Sequence, residues 1–195
     1  NCPNRVCVDY NFLNWYKTVF GFKQKGKVWV IPNFTSALAD DTQIKTRQYS
    51  NENIRIIFAR RFTQPRGTRI MAEAAQNILQ RYNNVNFTFA GEGSDENWLK
   101  NTFERDDRVM FTKYLPHEVL NVHLCHDIAM IPSLASEGTS FSVAEAMGAG
   151  CAVVATNVGG IPSMIIDKYN GILVMPNTKS LALGLEQLLN NVDLR

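Results

Sequence analysis

Two arginines of this 195-residue chain lie where they could bind a phosphorylated ligand. Arg61 and Arg66 are five residues apart, in a loop that follows an apolar run and precedes an amphipathic stretch. Their guanidinium groups could converge on a diphosphate, and the N-terminus of the following helix would add a favourable field for an anion. The alternative is a solvated basic turn, because arginines are common in loops.

A second loop, residues 136–145, reads Ser-Glu-Gly-Thr-Ser-Phe-Ser-Val-Ala-Glu. Glycine permits a tight turn, and the free N–H groups around Thr139, Ser140 and Phe141 would point at a bound phosphate from the start of a helix.

A glutamate stands on each side of that turn. Glu145, about one turn inside the predicted helix, could accept both hydrogens of a ribose diol. Glu137 would face whatever is attached beyond the phosphate. The alternative for Glu145 is a first-turn acid that complements the helix dipole, which leaves Glu137 unexplained.

Other polar groups give weaker signals. Gly159 and Gly160 follow a buried run and allow close backbone approach to a ligand, but they serve equally well in a plain turn. His123, Cys125 and His126 lack a second cluster that would complete tetrahedral coordination. We therefore expect core or surface histidines and no metal site.

The composition excludes several classes of protein. The chain has 20 Lys+Arg against 18 Asp+Glu and is 45% hydrophobic, which excludes a disordered tail and predicts no nucleic-acid partner. No apolar run approaches the ~20 residues that span a bilayer, so we expect no transmembrane segment. The four cysteines form no C-x-x-C pair and are too few for a disulfide scaffold, and no signal peptide is recognisable. We therefore expect reduced thiols in a cytoplasmic protein. The start at Asn1 predicts a fragment of a longer chain.

Elements that would position these residues recur from residue 53 onward, where short apolar runs alternate with amphipathic stretches. The predicted strands are residues 54–59, 87–90, 109–111, 128–131, 151–156 and 171–174. The predicted helices are residues 68–82, one capped by Ser94 that carries Trp98, Leu99 and Phe103, and residues 116–124, 141–148, 161–166 and 178–190. This alternation predicts an α/β domain with a doubly wound, mostly parallel Rossmann-like sheet and helices on both faces.

The first 50 residues do not follow that pattern. Residues 5–9 and 28–31 are predicted strands, residues 12–20 are a predicted helix, and the polar stretch 36–50 has no helical or strand period. We therefore predict three parts: residues 1–35 as the tail end of another domain, residues 36–52 as a linker and residues 53–195 as the α/β domain.

A known family shows the same motifs in the same order. Glu137 and Glu145, with seven residues between them, resemble the two-glutamate motif of the retaining glycosyltransferases of the large group 1 family. The supporting segments are Pro132-Ser133, Val153-Val154-Ala155-Thr156, Gly159-Gly160-Ile161-Pro162 and Asn170-Gly171-Ile172-Leu173-Val174. The resemblance covers residues 54–189, and Ile31-Pro32-Asn33 looks like the family's junction between two domains.

The resemblance implies a GT-B enzyme, in which two Rossmann-like domains face each other across a cleft and the C-terminal one binds the nucleotide-sugar donor. It implies a catalytic set made of Arg61 and Arg66 on the donor diphosphate and Glu137 on the donor-sugar hydroxyls. Glu145 would hold the ribose. The remaining implied donor-binding residues are the backbone amides of Gly138, Thr139, Ser140 and Phe141 at the distal phosphate, and Lys113, Tyr114 and Leu115 near the base.

The resemblance also implies hexosyl transfer to an acceptor hydroxyl without a metal or other cofactor, in polysaccharide or glycolipid synthesis. A saccharide or lipid-linked acceptor would bind through the missing domain, so the fragment alone would be inactive. Peripheral attachment at the inner face of a membrane is compatible with this assignment. The alternatives are a sugar-nucleotide epimerase or hydrolase of the same architecture and a non-catalytic nucleotide-binding module.

Four positions depart from the family pattern. Arg66 stands where lysine is more common, Arg60 and Lys113 stand where glycine is more common, and Ser163 stands where glutamate is common. Arginine in place of lysine keeps the charge but changes its reach. Lysine in place of glycine at position 113 could alter the pocket for the nucleobase, so the resemblance leaves the identity of the donor nucleobase open.

Overall fold

A six-stranded parallel sheet forms the centre of the chain. The structure, a computed structural model, describes residues 4–21, 26–36, 38–45, 51–135 and 137–195. The strands are β3 (Ile54–Ala59), β4 (Val85–Ala90), β5 (Val109–Thr112), β6 (Ile128–Ile131), β7 (Ala152–Thr156) and β8 (Ile172–Val174), in the spatial order β5-β4-β3-β6-β7-β8. Every neighbouring pair is parallel. The predicted doubly wound fold is confirmed, with its change of direction between β3 and β6.

Helices cover both faces of this sheet. They are α3 (Thr68–Leu79), α4 (Glu96–Thr102), α5 (Val119–Leu124), α6 (Phe141–Gly148) and α7 (Thr178–Asn190). Alternate residues of β3 point to opposite faces, so Ile56 packs in the cluster that contains α3 and α7, while Ile57 packs in the cluster that contains α6. Burial of both faces explains why strands β6 and β7 are nearly continuous apolar runs.

The N-terminal segment forms a separate unit. Strands β1 (Arg5–Cys7) and β2 (Val28–Val30) pair in parallel with each other, and α1 (Tyr10–Phe20) connects them. Asp9 caps α1, since its Oδ1 accepts a hydrogen bond of 2.7 Å from the Phe12 amide. The three predicted elements are therefore present. The domain boundaries after residues 35 and 52 stay predictions.

One helix lies inside the predicted linker. Helix α2 (Asp41–Lys45) begins after Asp40, whose side chain accepts from the Gln43 amide at 2.8 Å while Gln43 Oε1 accepts from the Asp40 amide at 3.0 Å. This reciprocal capping stabilises a helix too short to show a period in the sequence. The rest of the predicted linker includes residues 37 and 46–50, which lie outside the described residues, as does Cys2.

Two predicted helix starts are wrong. The structure starts α4 at Glu96 with Asp95, not Ser94, as its N-cap residue, because the Asp95 amide is bonded to the Phe62 carbonyl at 2.9 Å and holds the loop open to that point. The helix predicted from Pro116 is a 3-10 turn, Pro116–Glu118, followed by α5.

The helix predicted for residues 161–166 is only a 3-10 turn, Ile161–Ser163. The side chain of Asn170 replaces the helical bonds, since its Oδ1 accepts from the Ile166 amide at 2.7 Å and its Nδ2 donates to the Met164 carbonyl at 3.0 Å.

No helix within the described ranges is long and apolar enough to cross a membrane. The described cysteines, Cys7, Cys125 and Cys151, form no disulfide with one another.

Two histidines are buried in the sheet region, as expected for core residues. His123 Nδ1 lies 2.8 Å from the Val119 carbonyl oxygen. His126 is 8% exposed, with Nδ1 2.7 Å from the Val122 carbonyl oxygen and Nε2 2.8 Å from Thr88 Oγ1. Burial lowers the pKa of His126 to about 4 from its usual 6.5.

This buried histidine should make the chain sensitive to acid. In the unfolded state the His126 side chain binds a proton below about pH 6.5, whereas in the folded state it binds one only near pH 4. The free energy of unfolding therefore falls by about 3 kcal/mol as the pH is lowered through that range. Urea unfolding at pH 7 and pH 4 measures the loss. His126→Gln should reduce the loss, whereas His117→Gln, at an exposed histidine, should not. Equal acid sensitivity in both variants would contradict the assignment.

Candidate active site

The candidate residues meet where the sheet changes direction. Arg60 directly follows β3, and Ser133 and Glu137 follow β6, the neighbouring strand. In open parallel sheets, this crevice at the carboxyl ends of the strands is where ligands bind.

One carboxylate oxygen collects three donors. Glu137 Oε1 accepts from Arg60 Nη2, from Arg66 Nη1 at 2.5 Å and from Ser133 Oγ at 2.6 Å. Arg60 Nη1 also bonds Ser133 Oγ at 2.5 Å. Thr156 Oγ1 donates to the Ser133 carbonyl at 2.6 Å and so fixes the loop after β6 to the end of β7. Glu137 Oε2 accepts no hydrogen bond from the residues that the structure describes.

The pKa shifts follow from this geometry. Burial disfavours the charged form of Glu137, but the Arg60 charge, with hydrogen bonds from Ser133 and Arg60, outweighs burial and lowers the pKa of that carboxyl. Burial lowers the pKa of Arg60, and Glu137 opposes the change. Arginine keeps its proton in proteins. Two guanidinium groups and one carboxylate therefore leave one net positive charge at this point.

Glu145 is not part of the hydrogen-bonded cluster that the described residues form. Its carboxylate is half-buried on α6, and within the described parts of the chain it forms no side-chain hydrogen bond or ion pair. Burial raises its pKa, and the charge of Arg60 opposes the rise. Burial also raises the pKa of Tyr114, with the Glu145 charge adding to the rise and Arg60 opposing it. These three groups are thus close enough for their charges to influence one another.

The start of α6 presents free donors to the same region. Ser140 is the N-cap residue but its side chain does not cap, and its buried Oγ has no hydrogen-bond partner among the described residues. Its amide contacts Met164 Sδ at 3.2 Å. The amides of Gly138, Thr139 and Phe141 donate to no acceptor among the described residues. This arrangement suits an anion at a helix N-terminus.

Glycines bring the surrounding loops close together. Gly67 has φ of 78°, and a Cβ there would lie 1.8 Å from the Pro132 carbonyl oxygen. Gly159 has φ of 56°, and a Cβ there would lie 2.0 Å from the Glu137 carbonyl oxygen. The Gly160 amide donates to that same carbonyl at 2.9 Å. The glycine pair therefore supports the Glu137 loop by close backbone packing.

The N-terminal unit packs against this loop. Asn33 Nδ2 donates to the Thr139 carbonyl at 2.8 Å, and Thr139 Oγ1 donates to the Val8 carbonyl. A groove of about 580 Å³ separates the two sides. Its lining includes Val6, Phe12, Trp15, Glu137, Gly138 and Gly159. The Glu137 loop therefore forms one wall of a cleft.

The predicted arginines and base-site residues lie in different environments, and the donor contacts predicted for them stay predictions. Arg60, not Arg61, enters the cluster with Arg66; Arg61 is exposed and forms no ion pair in the described ranges. The sequence did not single out Arg60 as a site residue, although its position directly after a strand end could have indicated it.

The three residues predicted to lie near the base differ in their exposure. Lys113 Nζ is bonded to Glu92 Oε2 at 2.7 Å, Tyr114 is partly buried and Leu115 is exposed. Ser136 lies outside the described residues.

Comparisons with known proteins identify related sequences and folds. Residues 53–191 match the model of the family described as glycosyl transferases group 1. One subunit of human phosphatidylinositol N-acetylglucosaminyltransferase is 33% identical over 164 residues, which are 82% of this chain and 33% of the human protein. The uncharacterized glycosyltransferase MJ1607 of Methanocaldococcus jannaschii is 30% identical over 203 residues, 100% of this chain and 48% of that protein.

A solved structure shares the fold over nearly the whole chain. A point mutant of S. aureus TarM, in complex with fondaparinux, alpha-GlcNAc-glycerol and UDP, has a TM-score of 0.82 at 22% identity and covers 98% of this chain and 38% of TarM. The chain thus spans a third to about half the length of these curated relatives. The match extends to the N-terminal unit.

Proposed function

Because the chain belongs to the group 1 glycosyl transferases, we propose that it is the donor-binding part of a metal-independent retaining glycosyltransferase. The longer protein would move a hexose from a nucleoside-diphosphate sugar to an acceptor hydroxyl. The observation that carries this proposal is Glu145, a half-buried carboxylate with no partner in the described chain, at the sheet crevice beside a cationic cluster. A carboxylate in that place suits a ribose diol next to a bound diphosphate.

The chemistry assigned to the crevice is stabilisation of the leaving group. As the anomeric C–O bond breaks, negative charge grows on the diphosphate. Arg66, Arg61 and the amides at the start of α6 would bind that charge more strongly in the transition state than in the ground state. These cations and amides could supply the charge stabilisation that a metal supplies elsewhere. Retention of the anomeric configuration is proposed from the two-glutamate motif.

The proposed donor site also suggests contacts for the donor sugar and for the base. Glu137 would contact donor-sugar hydroxyls, and the base would lie near Lys113, Tyr114 and Leu115. The human relative is part of a phosphatidylinositol N-acetylglucosaminyltransferase, and the TarM complex holds UDP. The TarM complex supports a uridine nucleotide as the first donor to test, and the name of the human relative supports a lipid-linked acceptor beside the saccharide alternative. A cytoplasmic site of action, at the inner face of a membrane, is part of this proposal.

Removing a diphosphate-binding arginine should weaken binding of the diphosphate and not of the nucleoside. Arg66→Ala and Arg61→Ala are each expected to reduce the affinity of the chain for UDP about tenfold, since each loses a charged hydrogen bond. Calorimetric titrations with UDP and with uridine measure the difference. Arg105→Ala, at an exposed arginine before β5, is the matched control and should leave UDP binding unchanged. Unchanged UDP binding in both test variants would return Arg61 to a solvated turn and leave Arg66 only as a partner of Glu137.

Transfer itself needs the longer protein. A product assay with a nucleotide-sugar donor, followed by NMR of the anomeric proton of the product, tests activity and retention together. Release of free sugar or formation of an epimer instead of a transferred glycoside would favour the hydrolase or epimerase alternative.

A further inference from the structure

Arg60 makes the most buried ionic contact of the crevice. Its side chain is 4% exposed, and it is bonded through one terminal nitrogen to Ser133 and through the other to Glu137. The Glu137 side chain is 6% exposed. Arg66, the third member, is 35% exposed, so one of the two guanidinium groups on Glu137 is fixed in the protein and the other lies within reach of solvent.

The number of donors on Glu137 exceeds what one oxygen can accept well. A carboxylate oxygen has two lone pairs, whereas Oε1 receives Arg60, Arg66 and Ser133. Ser133 and Arg60 are held by each other, and Ser133 is fixed further by Thr156. Arg66 has no other side-chain partner among the described residues. The Arg66 contact is therefore the one that Glu137 can lose while keeping two donors.

We propose that Arg60 is a positioning residue that retains Glu137 in place and thereby frees Arg66 to exchange Glu137 for the diphosphate of the donor. This inference rests on the proposed donor site. In it, Arg60 does not contact the donor but acts through Glu137. Arg60 and Glu137 neutralise each other, so Arg66 supplies the remaining positive charge. Glu137 Oε2 stays available for a donor hydroxyl throughout the exchange.

The charge balance gives the exchange a direction. Without Arg60, Arg66 would be the single guanidinium on a buried carboxylate, and moving it to a ligand would leave Glu137 charged with only Ser133 as a donor. Uncompensated buried charge is strongly unfavourable, so Arg66 would stay on Glu137. With Arg60 present, the diphosphate competes only for a contact that is in surplus.

A double-mutant cycle for ligand binding tests the exchange. The probe is whichever of UDP, GDP and ADP binds the unchanged chain most tightly. Arg66→Ala in the unchanged background should weaken binding about tenfold, whereas in the Arg60→Met background it should weaken binding less than about threefold, because there Arg66 is held by Glu137. An equal effect of Arg66→Ala in both backgrounds would overturn the inference.

A conservative variant separates charge from shape. Arg60→Lys keeps a cation on Glu137, so the effect of Arg66→Ala should remain about tenfold in that background. If the effect disappears with lysine at position 60, Arg60 does not act by holding the Glu137 charge. This second arm keeps the test decisive if Arg60→Met does not fold. Failure of the unchanged chain to bind any of the three nucleotides would reject the donor site itself, which is a different outcome.

Discussion

Glu137→Gln is expected to lower the free energy of unfolding by about 3–5 kcal/mol, because it leaves the buried guanidinium of Arg60 without its countercharge. Arg66 would remain nearby and add repulsion between like charges. Urea unfolding at pH 7, followed by circular dichroism, measures the change. The matched control is Glu92→Gln, which breaks an exposed ion pair with Lys113 and should change stability little.

The double variant Arg60→Met with Glu137→Gln sharpens this test. Removing both charges leaves no buried ion unpaired, so its stability loss should be smaller than that of Glu137→Gln alone. A loss equal to the sum of the two single losses would show that the two side chains do not interact across this contact.

The second large effect concerns the ribose. Glu145→Gln should weaken binding of a nucleoside diphosphate about ten- to a hundredfold, because a neutral amide replaces a carboxylate that accepts from two hydroxyls. Affinity for the 2′,3′-dideoxy analogue should hardly change, since that analogue offers no hydroxyl at these positions. Calorimetric titration measures both. Equal losses for the two ligands would contradict the ribose assignment, and Glu104→Gln, at an exposed glutamate, serves as the control.

Acidity should affect this contact in the same direction as the mutation. The pKa of Glu145 is raised by burial, so lowering the pH protonates it earlier than an exposed glutamate and removes one acceptor. Binding of the nucleoside diphosphate should therefore weaken on mild acidification in the unchanged chain and respond less in Glu145→Gln.

The long, fully buried elements could be predicted from the sequence. Strand β3 (Ile54–Ala59) and helices α6 (Phe141–Gly148) and α7 (Thr178–Asn190) have the predicted bounds, because apolar runs and helical periods report burial directly. Helix α2 (Asp41–Lys45) could not be predicted, since five residues are too few to show a period and its stability comes from a cap. Asp95, not Ser94, is the residue before the first turn of α4, because its amide is bonded to the Phe62 carbonyl of an earlier loop.

The candidate site, like the fold, could be predicted from the sequence only in part. The sequence indicates that Glu137 and Glu145 belong at one edge of the sheet, because strand ends in a parallel sheet meet there. It does not indicate which of two adjacent arginines turns inward. Arg60 and Arg61 are chemically identical, and only the direction of the backbone after β3, with Ser133 and Glu137 on the neighbouring loop, decides between them.

We expect the crevice between β3 and β6 to bind a nucleoside diphosphate with its own cations. The direct measurement is calorimetric titration of UDP, GDP and ADP into the chain, once with magnesium and once with a chelator, each with the matching nucleoside as reference. One diphosphate should bind far more tightly than its nucleoside, with the same affinity in both buffers. Binding of none of them, or binding only with magnesium, would contradict it.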